Sequence, residues 1–319
     1  MPIKSKGLRS LNLTIYLEVL GRMSLTPHRD KILAAIKNPK CPDDDKMLLQ
    51  EALSIYDEWK KKLHSLTSKG QKRVREMVEL LNWYKDLFEV ELIMKQGSSF
   101  IKRQKGQLKL DNSILEEFLI ELVNPDVFDG LDTSKLEIGP KNAFMSLSFI
   151  PRSFKELPQK PRIFVKTKAH DFVIGTKIYY KFSTTDSFDK PKTVDGDMVL
   201  AVLVAECKVN LDKTMFQEAA GTAARLKQGC PVAKYFLLVE YLDMVPEDCR
   251  LTAIDNVFLL RHARRLPFEK RNDPLEVEKQ HKNHPIDHKV VWMFVQEIQK
   301  LMSAIWYDPD EALRRGSFV

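Results

Sequence analysis

The chain has 319 residues, of which 44% are hydrophobic and 30% are charged. This composition excludes a disordered or fibrous protein, because the chain can bury the core of one large domain or of two ordinary ones. Its net charge of +7 favours a polyanionic partner such as nucleic acid. The four cysteines form no C-x-x-C pair, which argues against a structural zinc site and a disulfide framework. No apolar run is long enough to span a membrane, and Glu18 interrupts the only N-terminal candidate for a secretory signal. We therefore expect a cytoplasmic protein.

The N-terminal part of the chain is predicted to be helical. Apolar residues recur at helical spacing in three segments, at about 43–67, 75–96 and 112–123. Acidic residues crowd the start of the first segment and lysines lie towards its end, where the helix dipole favours each charge. We therefore predict a mostly helical, DNA-contacting region over residues 1–130, followed by a second domain over residues 131–319.

Two basic stretches lie in this helical region. Residues 60–75 and 95–109 each hold several lysines and arginines and contain no acidic residue. Such stretches can follow a phosphate backbone, and the candidate DNA contacts in the second one are Lys102, Arg103 and Lys105. The alternative for both stretches is a solvated helix end and an exposed loop.

The second domain is predicted to be a mixed sheet flanked by helices, of the α/β (α+β) class. Short β-branched and aromatic runs begin near residue 162. The run MVLAVLVA (198–205) is apolar without alternation, which is typical of a central strand covered on both faces. An alanine-rich helix separates it from KYFLLVEYL, and this spacing predicts a crossover between parallel strands. The C-terminal segment KVVWMFVQEIQKLMSAIW returns to helical spacing and is predicted to cover one sheet face.

Opposite charges follow the buried run directly. Because strand side chains alternate, Glu206 and Lys208 share one face while Cys207 points to the other. Two charges at the end of a central strand are costly to desolvate unless they pair with each other or bind a ligand. A carboxylate is a good ligand for Mg²⁺, and a neighbouring ammonium can orient a water molecule. This pair therefore suits phosphodiester hydrolysis.

A metal site of this kind needs a second acid, and two candidates exist. Asp197 precedes the apolar run, but about 30 Å of extended chain separates it from Glu206, which is too far to share an ion. Asp171 opens the apolar segment DFVIG, which can pair antiparallel beside the strand of Glu206. Geometry therefore favours Asp171, with Asp197 as a residue that shapes the strand start.

Together these residues resemble a known nuclease core. Asp171 before an apolar strand, Glu206-Cys207-Lys208 after another and the alanine-rich helix beyond are similar to the PD-(D/E)XK pattern. His170 stands where the nominal motif has proline. The separation of Asp171 from Glu206 is longer than is usual in that family, which implies an extra strand, KIYYKFS, and a loop between them.

Three segments resemble a narrower family. GQLKLDNSILEEFL (106–119), DFVIG and ECKVNLDKTMFQEA (206–219) are similar to type II restriction endonucleases whose subunits work in pairs at short, asymmetric DNA sites. The resemblance implies Mg²⁺-dependent, sequence-specific cleavage of both strands of double-stranded DNA, in a restriction–modification system. It also implies a homodimer, or a heterodimer with a second nuclease subunit.

The same resemblance assigns roles to individual residues. Asp171 and Glu206 become metal ligands, with the backbone of Cys207 as a further possible ligand, and Lys208 positions the attacking water. Gln217 and Glu218, on the first turn of the following helix, are accessory candidates.

The sequence also leaves further basic residues and two other functions open. The segment LLRHARR supplies three more candidate DNA contacts, which can clamp phosphate or read guanine: Arg261, Arg264 and Arg265. One alternative function is a repair or mobile-element nuclease on the same core. The other is a DNA-binding protein with a degenerate core that does not cleave, which the intact acid and lysine positions disfavour.

Overall fold

Helices make up the first part of the described chain, as the spacing of their apolar residues predicts. The computed structural model describes residues 25–107, 110–304 and 308–317, and Glu18 therefore lies outside the described residues. The helices are α1 (Pro27–Lys37), α2 (Asp43–His64), α3 (Gly70–Lys85), α4 (Ser99–Gln107) and α5 (Asn112–Leu122). A π-helical segment, Asp86–Gln96, continues α3 and ends at Gly97.

A five-stranded mixed sheet follows the helices. Its strands are β1 (Glu137–Phe149), β2 (Ile163–Ser183), β3 (Thr193–Leu211), β4 (Lys234–Leu242) and β5 (Asn256–Arg264), and they neighbour one another in that order. The first three strands are antiparallel, whereas β3, β4 and β5 are parallel. Helix α6 (Lys213–Gly229) connects β3 to β4, which confirms the predicted crossover. The chain continues with α7 (Pro274–Asn283), α8 (His288–Ser303) and α9 (Pro309–Arg315).

Strand β2 is longer than the sequence predicts. Its 21 residues contain DFVIG and KIYYKFS without a break, so the extra strand implied by the family spacing does not exist. The ladder with β3 shifts between Ile174 and Gly175, and a Cβ at Gly175 would collide with the carbonyl oxygen of Leu200. Such an irregularity bends a strand rather than ending it. Asp171 lies within β2 and not at its start, because residues 163–170 before it pair with β1. Asp197 likewise lies inside β3, opposite Tyr179, and not at a strand start.

Hydrophobic residues cover both faces of the sheet, as the apolar run in β3 predicts. On one face, residues of β2 to β5 share a core with the N-terminal helices and α8. There the ring of Phe294 in α8 packs edge to face against Phe236 and at a steep angle against Phe258. On the other face, α6 packs through Ala223 and Leu226. The predicted covering helix is thus confirmed.

A network of buried charges joins the helices to the sheet. Lys85 Nζ lies 2.8 Å from Glu240 Oε1 and also contacts Glu89, the residue one turn further along its own helix. Arg261 Nε donates to Glu240 Oε2 at 2.7 Å. None of these four side chains is more than 2% exposed. Since a buried charge is costly unless it is paired, the network holds α3 against β4 and β5.

We expect Lys85→Met to lower the free energy of unfolding by about 3–5 kcal/mol, because Glu89 and Glu240 stay buried without the ammonium they share. Urea denaturation at neutral pH measures this change. Lys95→Met is the matched control, because Lys95 forms more exposed ion pairs with Glu91 and Glu278. Its cost should stay below about 1 kcal/mol. Equal losses in the two variants would contradict a structural role for the buried network.

Candidate active site

The pairing of β2 with β3 builds the candidate site. Phe172 is the first residue of β2 that pairs with β3, opposite Ala205, and Asp171 directly precedes it in the chain. In place of a backbone pairing, the carboxylate of Asp171 contacts β3, since its Oδ2 accepts the backbone N–H of Cys207 at 3.0 Å. A buried backbone donor needs an acceptor, so this bond fixes Asp171 at the point where the two strands part.

Two carboxylates converge on one ammonium at this point. Lys208 Nζ lies 3.2 Å from Asp171 Oδ2 and 3.2 Å from Glu206 Oε2. Asp171 and Glu206 are each 8% exposed, and Cys207 points to the opposite face, into the core. The structure thus brings together the three residues that the sequence singles out. It places Glu206 and Lys208 on one face, as the alternation of strand side chains requires.

The surroundings of Glu206 and Lys208 favour the charged form of each side chain. Burial by itself raises the pKa of Glu206, but the hydrogen bond from His170 and the charge of Lys208 outweigh it and lower the pKa to about 2. Burial lowers the pKa of Lys208, yet Asp171 and Glu206 more than compensate and raise it above its ordinary value. Burial, Glu206 and Asp171 together raise the pKa of Tyr235, which lies nearby in β4. Glu206 is therefore ionised at neutral pH, with the protonated ammonium of Lys208 beside it.

This donor set fits a hard divalent cation. Carboxylate oxygens are the ligands that Mg²⁺ prefers, and Mg²⁺ is commonly held by one or two carboxylates together with waters and substrate phosphates. Within the part of the chain that the structure describes, no group of three His, Cys, Asp or Glu residues is arranged to hold a metal ion. Asp171 and Glu206 are therefore two carboxylates that could hold such an ion together with waters and substrate phosphates.

Two residues at the site are not among the candidates that the sequence predicts. In the sequence, His170 is only a departure from the nominal motif, but its Nδ1 lies 2.7 Å from Glu206 Oε1. Glu116 of α5 is 5% exposed, and after burial and Asp171 it is the next cause of the raised pKa of Cys207. The signal for Glu116 is the pair of carboxylates Glu116 and Glu117 between apolar residues of the helix. No local signal reports the hydrogen bond of His170.

A comparison with protein families identifies the family of the chain. The family profile described as Bpu10I restriction endonuclease matches residues 107–318, about two thirds of the chain. The chain belongs to the Bpu10I restriction endonuclease family. The prediction of a type II site-specific deoxyribonuclease is thereby confirmed. A comparison with curated proteins finds no match.

A solved structure described as the native BbvCI A2B2 tetramer has the same fold as this member of the Bpu10I family. The two superpose with a TM-score of 0.63 at 16% sequence identity, over 88% of this chain and 97% of the BbvCI chain. The similarity confirms the mixed sheet flanked by helices. Among the described residues, no helix combines the length and apolar character needed to cross a membrane.

The two accessory candidates lie further along α6 than predicted. The helix begins at Lys213, after Asp212 accepts the backbone N–H of Met215 at 2.8 Å. Gln217 and Glu218 are therefore on its second turn and not on its first, and both side chains are exposed. The cause of the shift is the Asp212 cap, which sets where the helix starts.

The candidate DNA contacts near the C-terminus divide between the surface and the interior. Arg264 is exposed, and Arg265 is partly exposed, with its Nη1 2.8 Å from Asp243 Oδ2. Arg261 is 1% exposed and is bound to Glu240, so the prediction that it contacts DNA is wrong. Its burial follows from its position within β5, under the helices.

The candidates in the helical region divide in the same way. Lys102 and Arg103 are exposed on α4, whereas the side chain of Lys105 lies outside the described residues. In the 60–75 stretch, Arg73 is buried and donates to the carbonyl oxygen of Leu66 at 2.7 Å. Lys60 pairs with Glu117 and Glu121. These two cations of the first stretch therefore serve the helical packing.

We expect Lys208→Met to lower the free energy of unfolding by about 1–3 kcal/mol at neutral pH, because the buried carboxyl groups of Asp171 and Glu206 then lie together without their shared cation. The stabilisation that accompanies the lowered pKa of Glu206 is present above its ordinary value of 4.5 and is lost as the pH falls towards about 2. The deficit of the variant should therefore shrink over that range.

Denaturant titrations across this pH range compare the wild type with the variant. Lys177→Met is the control, since Lys177 Nζ lies 3.9 Å from Asp197 Oδ2 in an exposed pair. We expect it to change the free energy of unfolding by less than about 1 kcal/mol at every pH. A deficit of Lys208→Met that does not depend on pH would contradict the electrostatic explanation.

Proposed function

We propose that this member of the Bpu10I family is a Mg²⁺-dependent enzyme that hydrolyses both strands of double-stranded DNA at a specific site, within a restriction–modification system. The observation that carries the proposal is the convergence of Asp171 and Glu206 on Lys208, at the point where β2 and β3 part. Two carboxylates and an ammonium in this arrangement provide what phosphodiester hydrolysis needs: a place for a hard cation, and a donor beside it.

Each of these residues has a role in the proposed reaction. Asp171 and Glu206 bind Mg²⁺, with the backbone of Cys207 as a further possible ligand. When bound, the ion supplies Lewis-acid charge at the scissile phosphate. The ammonium of Lys208 donates to the attacking water and orients it, and its charge opposes the negative charge that grows on the phosphate. Water adds to phosphorus as the bond from phosphorus to the leaving oxygen breaks, and the proton that the water loses is balanced by the proton that the leaving oxygen takes up from solvent.

Cleavage of both strands requires more than one such site. The candidate site of this chain, Asp171, Glu206 and Lys208, accounts for the cleavage of one strand, so we propose that the chain acts as a pair, either with a second copy or with a different nuclease subunit. The description of BbvCI as an A2B2 tetramer supports an assembly of several subunits. We place the enzyme in the cytoplasm, where it meets DNA.

Digestion of plasmid DNA in the presence of Mg²⁺ tests the proposal. Discrete linear fragments are expected of a homodimer, and nicked circles are expected where a second, different subunit cuts the other strand. Asp171→Asn keeps the side-chain volume but removes the charge that a hard cation prefers. We expect it to reduce the cleavage rate by several orders of magnitude and to shift the Mg²⁺ dependence to higher concentration.

Asp197→Asn is the matched control, because Asp197 is a half-exposed carboxylate further back on the strand of Glu206. It should change the cleavage rate by no more than a few fold. A smear, an absence of cleavage by the wild type, or loss of cleavage in Asp197→Asn with Asp171→Asn still active would contradict the proposal.

We expect the exposed cations of α4 to contribute affinity for DNA that does not depend on sequence. Changing Lys102, Arg103 and Lys105 to glutamine should weaken binding to specific and to random DNA by similar factors. It should also flatten the salt dependence by up to about 0.9 for each phosphate that the variant no longer neutralises. Gel-shift titrations over a range of salt concentrations in Ca²⁺ measure both effects.

The control for this experiment removes the same charge from lysines that form ion pairs on other helices. They are Lys46, Lys282 and Lys300. This triple glutamine variant should keep the salt slope of the wild type. An unchanged slope in the α4 variant would place the DNA elsewhere, with the surface around Arg264 as the next position to test.

A further inference from the structure

His170 directly precedes the candidate metal ligand Asp171 in the chain, and its side chain contacts the other candidate ligand, Glu206. The side chain of His170 has no exposed surface, and its Nδ1 lies 2.7 Å from Glu206 Oε1. The other oxygen of Glu206, Oε2, contacts Lys208 Nζ at 3.2 Å. Each oxygen of this carboxylate therefore has a contact of its own, and its rotation is fixed from two sides.

The ring of His170 is itself held in place. Its backbone pairs with Lys141 of β1. Its ring packs edge to face against Tyr235, with centroids 6.1 Å apart and planes at 80°. Tyr235 belongs to β4 and is 1% exposed. The ring thus reaches from β2 to β4 on the face that carries Glu206, and packing leaves it one orientation.

The hydrogen bonds of His170 indicate which nitrogen donates. Nε2 is buried and has no hydrogen-bond partner among the described residues. A neutral ring with its proton on Nδ1 donates to the carboxylate of Glu206 and leaves on Nε2 only a lone pair, which costs less to bury than an unpaired N–H. In this form the histidine orients Glu206 and leaves the charge of the carboxylate available to a cation.

We propose that His170 is a positioning residue for the candidate metal ligand Glu206. Its Nδ1–H holds Oε1, so that the carboxylate is already aimed at Asp171 and Lys208 before an ion binds. Groups that hydrogen-bond to metal ligands in this way typically change metal affinity or activity by about ten- to a hundredfold when they are removed. The proposal rests on the proposed function, because it needs Glu206 to be a ligand.

The test compares His170→Leu with His170→Asn in the full chain. Leucine fills part of the space but cannot donate, whereas the amide of asparagine can place an N–H where Nδ1 lies. Isothermal titration with Mg²⁺ measures affinity without relying on activity. Plasmid cleavage over a range of Mg²⁺ concentrations and gel shifts in Ca²⁺ complete the comparison. Thermal unfolding reports on the fold of each variant.

We expect His170→Leu to weaken Mg²⁺ binding by about ten- to a hundredfold and to raise the Mg²⁺ concentration needed for cleavage, with DNA binding in Ca²⁺ preserved. His170→Asn should restore Mg²⁺ affinity to within a few fold of the wild type. His281→Leu is the matched control, since His281 is a buried histidine whose Nδ1 lies 2.8 Å from Asp86 Oδ1, away from the site. It should reduce thermal stability and leave Mg²⁺ affinity unchanged.

Two results would overturn the positioning role and leave the proposed function intact. One is a His170→Leu variant that binds Mg²⁺ and cleaves DNA as the wild type does. The other is an equal loss in His170→Leu and His170→Asn, which would assign the effect to the shape of the ring and not to its donor. A wild-type chain that neither binds Mg²⁺ nor cleaves DNA would instead overturn the proposed function, and the positioning role with it.

Discussion

The antiparallel register of β2 against β3 is the constraint on which the rest of the site depends. It brings Asp171 to the backbone N–H of Cys207, 36 positions further along the chain. The carboxylate that satisfies this buried donor is also the one that faces Lys208. Because strand side chains alternate, a slip of one residue would turn Asp171 to the other face and separate it from Glu206. The bulge at Gly175 contributes to this register, since no larger residue fits against Leu200 there.

The chain contains a second cluster of acids and bases, and its different setting shows what makes a site. Lys85, Glu89, Glu240 and Arg261 are closed off between helices and sheet, and none of them has more than 2% of its side chain exposed. At the candidate site the side chain of Lys208 is 23% exposed, so solvent reaches it. The same residue types are therefore closed off inside the fold in one place and open to solvent in the other. Exposure to solvent is therefore what distinguishes the two clusters.

The helical region packs against the sheet. Its helices and the inner face of the sheet share one hydrophobic core. The side chain of Asn112, at the start of α5, accepts the backbone N–H of Val209 just beyond Lys208. Exposed cations on α4 therefore hold a defined position relative to the candidate catalytic residues. Since other cations of the region are paired inside the fold, the net charge overstates how much positive charge is free to meet DNA.

The sequence by itself determined those features that repeat over a few residues. Helical spacing located α2 and α5, the unbroken apolar run located β3, and strand alternation placed Glu206 and Lys208 on one face. Extended length alone also separated Asp197 from Glu206. Only the tertiary structure joined the predicted runs DFVIG and KIYYKFS into β2, buried Arg261 and placed His170 against Glu206. Periodicity is a local property of the backbone, whereas contacts between strands depend on register, bulges and packing set by residues far apart in the chain.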